Sequence, residues 1–322
     1  MKRLAAYTAY IEEHLQKVRV PKKPDLLYDP FRYSLTIGGK RIRPMLTLLS
    51  AEMFGIDREK ALPQALSVEV FHNFTLIHDD IMDEAPLRRN KVTIHEKWNT
   101  NIGILSGDAM LIEAFKLLSD IDPAQLPEAL ALFNQTAIEV CKGQQFDMDF
   151  EAREDVSVHE YIEMIRLKTS VLLGSALRLG AIVAGASEED KQAVYLFGQH
   201  IGIAFQIQDD ILDLYADPEK FGKQIGGDII ANKKTLLYLI AVNKASKNQY
   251  AILRRLRDVE DLEMKIARTR ELFDHLKVRE ACQAHMEGHF EMAKQALEHV
   301  SVPKEKKEIL VGLAEFLMKR EN

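Results

Sequence analysis

Cysteine is scarce in this sequence of 322 residues, which limits the classes of protein to which the chain can belong. Its two cysteines, Cys141 and Cys282, are too few for a disulfide framework and too far apart for a zinc knuckle. No run approaches about 18 uninterrupted apolar residues, and Glu12 and Glu13 fall where a signal peptide needs its apolar core. We therefore expect a reduced, cytoplasmic protein without a membrane span.

An excess of basic residues is also absent. The chain has 43 lysines and arginines against 49 aspartates and glutamates, and its net charge is −6. This balance argues against nucleic acid as the main partner, although it allows a local basic pocket.

Strand signals are missing too, because no segment alternates with a strand period for long. Helical periodicity dominates and no linker interrupts it, so one all-α domain over residues 1–322 is predicted.

Two predicted helices end in clusters of aspartates. The stretch 71–83 reads FHNFTLIHDDIMD, and the stretch 203–213 reads IAFQIQDDILD. Asp79 and Asp83 project within about 40° of each other, one turn apart, and they repel unless a cation lies between them. Carboxylates at a helix C-terminus also oppose the helix dipole, so a structural reason for them is poor. Two such helices suggest two carboxylate clusters facing each other across a cavity. Oxygen clusters of this kind favour Mg²⁺, which commonly bridges to substrate phosphates.

Basic residues accompany both clusters, mostly on short breaks marked by glycine. They are Lys40, Arg41 and Arg43 after Gly38-Gly39, Arg88 and Arg89, Lys168, and the pair Lys223 and Lys233. Guanidinium groups bind phosphate oxygens bidentately, so acidic clusters with nearby arginines indicate a metal together with a polyanion. One or two diphosphates are the ligands that this combination predicts. His72 shares a helix face with Asp79, and it is either a ligand of the same site or a buried, hydrogen-bonded histidine.

Several segments of the chain resemble the trans-isoprenyl (polyprenyl) diphosphate synthases of the short-chain type, which include farnesyl and geranylgeranyl diphosphate synthases. The segments are GGKRIRP at 38–44, DDIMD at 79–83, Arg88-Arg89, Lys168-Thr169, QDDILD at 208–213 and GKQIGGDIIANKKTLL at 222–237. A single DDxxD motif is modest support, because it arises often on helix surfaces. The whole set, in order and spacing from about residue 30 to residue 240, is specific.

The resemblance implies a helical bundle of roughly ten core helices around a central cavity, the isoprenoid synthase fold, usually as a homodimer. It implies the head-to-tail condensation of an allylic diphosphate with isopentenyl diphosphate. Ionisation of the allylic substrate would be assisted by about three Mg²⁺ ions in each active site.

The family's functional residues map onto this chain by position. Asp79, Asp83 and Asp209 would bind Mg²⁺, and Asp80, Asp210 and Asp213 would support them. Arg88, Lys168, Lys223 and Lys233 would hold the allylic diphosphate. Lys40, Arg43, His72 and Arg89 would hold isopentenyl diphosphate. Thr169 and Gln206 would face the carbon that ionises, so the residues expected to act in catalysis are Lys168, Thr169, Gln206 and Arg88.

One departure follows the arginine pair, where the family usually reads Gly-x-Pro-Thr-x-His. Asn90 and Val92 replace the glycine and the proline here. Asparagine tolerates a left-handed backbone nearly as well as glycine, so we expect Asn90 to serve in its place and activity to be retained.

Product length is expected to depend on residues just before the first aspartate cluster. In the family, bulky side chains four and five residues upstream close the floor of the product channel. Here those residues are Thr75 and Phe74, roughly 6–8 Å below the metals by helix rise, with Phe71 a further turn down. Helical phase alone does not decide whether Phe74 or Phe71 blocks the channel, and both are equally compatible with core packing. We expect a twenty-carbon product, geranylgeranyl diphosphate, with fifteen-carbon farnesyl diphosphate as the alternative.

Three other functions compete with this reading. A terpene cyclase or head-to-head synthase shares the helical cavity, but it usually lacks the GGKRxR stretch and the second DDxxD motif. A non-catalytic partner subunit typically loses the aspartates that this chain keeps. A helical interaction scaffold explains none of the motifs.

Overall fold

The computed structural model describes residues 2–216 and 225–318, and most of them are helical. The helices are α1 (Lys2–Leu15), α2 (Asp25–Thr36), α3 (Ile42–Met53), α4 (Leu62–Met82), α5 (Ile94–Lys97), α6 (Thr100–Leu118), α7 (Leu126–Ala152), α8 (Val158–Ile165), α9 (Val171–Val183), α10 (Glu188–Tyr215), α11 (Gly227–Ile230), α12 (Leu236–Lys244), α13 (Lys247–Leu256), α14 (Leu262–His275), α15 (Val278–Glu298) and α16 (Lys304–Met318). A 3₁₀ turn, Arg58–Ala61, precedes α4, and a π-helical turn, Arg166–Ser170, joins α8 to α9. The all-α prediction is confirmed.

The chain divides into two compact units. The first comprises residues 1–133 and 176–191, and the second comprises residues 134–175 and 192–322. The prediction of one domain over residues 1–322 stays a prediction. Within the described ranges, no helix is long and apolar enough to cross a membrane.

In the first unit, α4 is the central helix, and every residue from Gln64 to Phe71 is buried. The sequence predicts Pro63 in the second turn of this helix, where proline can kink it, but Pro63 lies in the first turn of α4, where its missing N–H costs no helical hydrogen bond. Asp57 accepts a hydrogen bond from the backbone N–H of Glu59 and therefore caps the 3₁₀ turn rather than α4 itself.

The charge-rich sequence of residues 84–98 predicts a loop, but a small hairpin follows α4 there. Strands β1 (Leu87–Arg88) and β2 (Lys91–Val92) pair antiparallel, and the two turn residues, Arg89 and Asn90, have φ of 51° and 61°. Turns of this kind favour asparagine because φ is positive, so Asn90 adopts the left-handed backbone expected of it. The loop prediction was wrong because two-residue strands are too short to show an alternating pattern.

The second unit is built on α10, whose apolar side chains pack against α8, α12 and α15. Ile203, Ile207 and Ile211 on α10 belong to one buried cluster with Leu236, Phe273 and Cys282. The spacing of Ser157 and Glu160 predicts a capping box, and the box is present at the start of α8. The spacing of Ser187 and Asp190 likewise predicts a helix start, and Ser187 accepts a hydrogen bond from the N–H of Asp190 at the start of α10.

A histidine pair joins α10 to α15 in the second unit. The Nδ1 atoms of His200 on α10 and His289 on α15 lie 3.1 Å apart, so one ring donates a hydrogen bond and the other accepts it. Burial, followed by the neighbouring His200 and His285, lowers the pKa of His289 to about 4.

We expect the free energy of unfolding to fall as the pH drops from about 6.5 to about 4. The folded state keeps His289 neutral in this range, whereas the unfolded chain takes up a proton, so acid favours unfolding. Urea denaturation at several pH values measures the effect. His289→Gln should make the profile less steep, with His72 and His200, whose pKa values burial also lowers, accounting for the remaining slope, whereas His299→Gln, at an exposed position, should leave it unchanged. A wild-type profile that is flat above pH 4 would contradict this prediction.

Candidate active site

The three aspartates at the end of α4 differ in their exposure to solvent. Asp80 is 5% exposed and accepts a hydrogen bond from Arg88 Nε at 2.7 Å. Burial raises the pKa of Asp80, and the charge of Arg88 opposes that rise. Asp79 is partly exposed and Asp83 is exposed. The structure therefore buries the predicted supporting carboxylate and leaves both predicted metal ligands accessible.

Three of the four residues predicted to hold isopentenyl diphosphate lie close together in the first unit. Arg89 donates to the carbonyl oxygen of Gly38, and Arg43 Nη1 lies 3.0 Å from His72 Nε2. Burial, followed by the charges of Arg43 and Arg89, holds the pKa of His72 well below its usual value. His72 is therefore neutral, and its Nε2 accepts the hydrogen bond from Arg43.

Arg43 also carries a polar atom that the described protein leaves unsatisfied. Its Nε is buried and has no hydrogen-bond partner. Burial lowers the pKa of Arg43 to about 10, so the side chain remains charged at neutral pH. A charged donor kept dry without an acceptor costs free energy, and an anion beside it would remove that cost.

Arg41, between two predicted ligands, has a structural role that the sequence did not reveal. Its side chain is fully buried, and it donates to Glu12 Oε1 at 2.7 Å, to Glu69 Oε1 at 2.5 Å and to the carbonyl oxygen of Leu35 at 2.9 Å. Its backbone is left-handed, with φ of 51°. Arg41 thus anchors the loop to α1, α2 and α4, while Lys40 on the same loop stays exposed.

In the second unit, the π-helical turn presents Lys168 and Thr169 to partners on two different helices. Lys168 Nζ lies 2.6 Å from Asp147 Oδ2 on α7, and Thr169 Oγ1 lies 3.4 Å from Gln206 Oε1 on α10. Isolated π-helical turns inside α-helices are frequent at functional sites.

The aspartates of the second cluster differ in solvent exposure in the same way. Asp210 is 4% exposed and accepts hydrogen bonds from Tyr161 and from Gln206 Nε2, whereas Asp209 and Asp213 are partly exposed. Burial raises the pKa of Asp210 to about 8, and repulsion from Asp228 contributes to the rise. Asp213 accepts a hydrogen bond from the backbone N–H of Asp228 at 3.0 Å.

A cavity of about 480 Å³ in the second unit collects most of the residues predicted there. Its walls include Lys168, Thr169, Gln206, Asp210 and Lys233, together with Asp147, Tyr161 and Asp228. Lys233 is exposed, but its neighbour Lys234 is buried and donates to the carbonyl oxygens of Phe150 and Glu151 at the end of α7. Lys223, also predicted to bind diphosphate, lies outside the described residues.

The carboxylates of the second unit fit a divalent cation by their chemistry. Burial raises the pKa of Asp228 to about 6, and repulsion from Asp213, Asp147 and Asp209 adds to it. Such mutual repulsion is relieved by a bound cation. In the ranges that the structure describes, no three histidine, cysteine or carboxylate side chains converge into a metal cage. Mg²⁺ does not require such a cage, because it commonly uses one or two carboxylates with water and substrate phosphates.

Aromatic side chains occupy the helix turns below the first aspartate cluster. The ring of Phe74 is centred 4.7 Å from that of His78 and 5.6 Å from that of Phe71. Phe71 is 2% exposed and packs edge-on against Phe133 at 5.1 Å. Thr75 uses its hydroxyl to donate to the carbonyl oxygen of His72. Phe74 is only partly buried, whereas Phe71 is part of the core.

Sequence reasoning missed Asp147, Tyr161 and Asp228. Asp228 follows Gly226-Gly227 inside the segment 222–237 that resembles the family, and that position could have identified it as a candidate site residue. Asp147 and Tyr161 lie in the interiors of α7 and α8. Their partners, Lys168 and Asp210, are 21 and 49 residues away, so no local signal marks them.

Comparison with known proteins agrees with this arrangement. A family model described as polyprenyl synthetase matches residues 24–273. The chain belongs to the polyprenyl synthetase family. This synthetase is 38% identical over 314 residues to a geranylgeranyl pyrophosphate synthase of Geoglobus acetivorans, with 97% of this chain and 96% of that protein covered. It is 36% identical over 305 residues to a geranylfarnesyl diphosphate synthase of Aeropyrum pernix, with 92% and 95% covered.

A solved structure gives the same result for the fold of the synthetase. The crystal structure of a geranylgeranyl pyrophosphate synthase superposes with a TM-score of 0.95 at 44% identity, and the match covers 99% of both chains. The resemblance seen in the sequence is confirmed, and so is the isoprenoid synthase fold. The synthetase is an enzyme, a prenyltransferase.

Proposed function

We propose that this synthetase is a geranylgeranyl diphosphate synthase, which condenses an allylic diphosphate with isopentenyl diphosphate head-to-tail. The observation that carries the proposal is similarity over nearly the full length to synthases of that product. The basic residues Arg43 and Arg89 of the first unit and the cavity of the second unit support it, because each offers charges suited to a diphosphate.

In the first unit, we assign isopentenyl diphosphate to Lys40, Arg43, His72 and Arg89. The orphaned Nε of Arg43 supports this assignment, because a phosphate oxygen would accept its hydrogen bond. Neutral His72 can donate through the ring nitrogen that does not face Arg43. Arg88, which is bonded to Asp80, is assigned to the allylic diphosphate near the first aspartate cluster.

In the second unit, we assign the reacting end of the allylic substrate to the cavity lined by Lys168, Thr169 and Gln206. Lys168 and Lys233, with Lys223, would bind the diphosphate. The carbon that ionises becomes an allylic cation, which the oxygens of Thr169 and Gln206 can stabilise. Met164 and Ile165 contribute apolar side chains to the cavity wall, and keeping water away from the cation on that side would protect it from quenching. The proton lost at the end is assigned to the departing diphosphate, so no protein base is required.

We assign Mg²⁺ to Asp79, Asp83 and Asp209, with Asp80, Asp210 and Asp213 as supports and about three ions in each site. When bound, Mg²⁺ supplies positive charge that stabilises the leaving diphosphate. Asp80 and Asp210 are held by Arg88 and Tyr161, so they orient the clusters rather than compete for the metal.

We further propose that the enzyme is a cytoplasmic homodimer formed of one synthase domain in each chain. Both cysteines are free, as a reducing compartment requires. The side chains of Ile104, Leu105 and Ile112 on α6 are 42%, 60% and 61% exposed, an apolar surface suited to a second copy of the chain. A purely monomeric species in sedimentation velocity would exclude the dimer.

Product analysis tests the proposed function. Purified protein with Mg²⁺, isopentenyl diphosphate and each of the five-, ten- and fifteen-carbon allylic diphosphates is expected to give a dominant twenty-carbon product. Phe74→Ala should lengthen it, because Phe74 is the partly exposed ring at the expected floor. Phe290→Ala, on α15, is the matched control and should leave the product unchanged.

The outcomes separate the candidate products. A fifteen-carbon stop would favour farnesyl diphosphate, the product first considered as an alternative. A twenty-five-carbon product would favour the activity named for the Aeropyrum pernix relative. An unchanged length in Phe74→Ala would move the floor to Phe71. If no starter is condensed with isopentenyl diphosphate, the proposed synthase activity is excluded. A cyclase or a non-catalytic subunit would then be favoured.

A further inference from the structure

The π-helical turn that carries Lys168 and Thr169 is packed between two glycines of neighbouring helices. A β-carbon built on Gly143 of α7 would lie 2.2 Å from the backbone nitrogen of Lys168 and 2.7 Å from the carbonyl carbon of Leu167. One built on Gly202 of α10 would lie 2.6 Å from the α-carbon of Ser170. Both helices therefore touch the backbone of the turn, at distances that only glycine permits.

Each of these helices also supplies a partner for a functional side chain, one turn beyond its glycine. On α7, Asp147 follows Gly143 by four residues and pairs with Lys168 at 2.6 Å. On α10, Gln206 follows Gly202 by four residues and meets Thr169 at 3.4 Å. Residues four apart lie on one helix face, so the glycine sets the distance at which its neighbour reaches the turn.

Hydrogen bonds across five residues keep the turn wide. The N–H of Val171 donates to the carbonyl oxygen of Arg166, and the hydroxyl of Ser170 donates to the carbonyl oxygen of Ile165 at 3.2 Å. Ser170 is fully buried, and its side chain is among the groups that a β-carbon on Gly202 would meet. The width of the turn and the packing at Gly202 are therefore linked through one residue.

We propose that Gly143 and Gly202 are positioning residues that hold the π-helical turn between α7 and α10 and so place Lys168 and Thr169 for reaction. This inference rests on the proposed function of those two side chains. Gly143 acts on the lysine that would hold the diphosphate. Gly202 acts on the threonine beside the carbon that ionises, so the two glycines should affect different kinetic constants.

The test compares Gly143→Ala and Gly202→Ala with two control variants. Gly174→Ala places a β-carbon 2.7 Å from the carbonyl oxygen of Tyr195 in the same unit and is a control for lost stability alone. Gly288→Ala on α15 meets nothing within 4 Å and is a control for the change of residue type.

Gly143→Ala is expected to raise the KM for the allylic substrate about tenfold, and Gly202→Ala to lower kcat about 100-fold, since displacements near 1 Å cost rates of this order. Gly174→Ala should lower the melting temperature without altering either constant for the folded protein. If both site variants fold and match Gly288→Ala in kcat and KM, the inference is overturned.

Two further measurements keep the outcome decisive. If Gly202→Ala does not fold, Ser170→Ala removes the hydroxyl that holds the wide turn, and an unchanged kcat in that variant overturns the inference. If the wild-type chain forms no product, the proposed function fails by itself. Calorimetry with Mg²⁺ and inorganic pyrophosphate then tests Gly143, whose alanine variant should bind about tenfold more weakly than Gly288→Ala, because a displaced Lys168 loses much of a charged hydrogen bond to the diphosphate. Equal binding overturns the inference.

Discussion

Replacing Asp79 with asparagine is expected to lower kcat on the order of 1,000-fold, with little change in stability. Asp79 is partly exposed on the last turns of α4, and its carboxylate is assigned to Mg²⁺. The amide keeps the size of the side chain but loses the negative charge that a hard cation requires. Steady-state kinetics at saturating Mg²⁺ measures the effect, and the rise in melting temperature on adding Mg²⁺ with pyrophosphate reports binding separately.

Two variants isolate the contribution of the metal from that of nearby charge. Glu84→Gln removes an exposed carboxylate just beyond α4 and should leave kcat unchanged. Asp80→Asn should act differently from Asp79→Asn, because it removes the partner of Arg88 and should lower stability as well as activity. Wild-type kcat in Asp79→Asn would contradict the assignment of this residue to the metal.

Replacing Glu69 with glutamine is expected to lower the free energy of unfolding by about 3 kcal/mol. Glu69 is 3% exposed and pairs with the fully buried guanidinium of Arg41. The substitution leaves that charge with Glu12 as its acidic partner, and Glu12 is one-third exposed. Urea denaturation measures the loss, and the KM for isopentenyl diphosphate should rise because the loop that carries Lys40 and Arg43 loses its anchor.

Controls for this prediction use an exposed pair and a double variant. Glu13 and Lys17 form a salt bridge on the surface of α1, and Glu13→Gln should leave the denaturation midpoint unchanged. Arg41→Met combined with Glu69→Met removes both buried charges and should recover part of the stability that Glu69→Gln loses. A wild-type midpoint in Glu69→Gln would show that the buried pair contributes nothing.

The helices and their caps could be predicted from the sequence because their signals are local. Ser157 with Glu160 marks the start of α8 by a spacing of three residues. The roles of Arg41 and Lys234 could not be predicted, since each lies beside another cation and only tertiary packing separates them. The π-helical turn was missed for a related reason. Its width depends on contacts with α7 and α10, and the local sequence continues a helical pattern through it.

The burial of Arg41 and Lys234 affects the electrostatic field that an approaching anion experiences. Arg41 is neutralised by two glutamates, and Lys234 points its ammonium at the end of α7. A charge paired with carboxylates, as that of Arg41 is, contributes little to the field at a distance, so the motifs steer an approaching diphosphate less strongly than their basic residues imply. Capture of substrate then depends mainly on short-range contact within each pocket, and the association rate should fall only modestly as ionic strength increases.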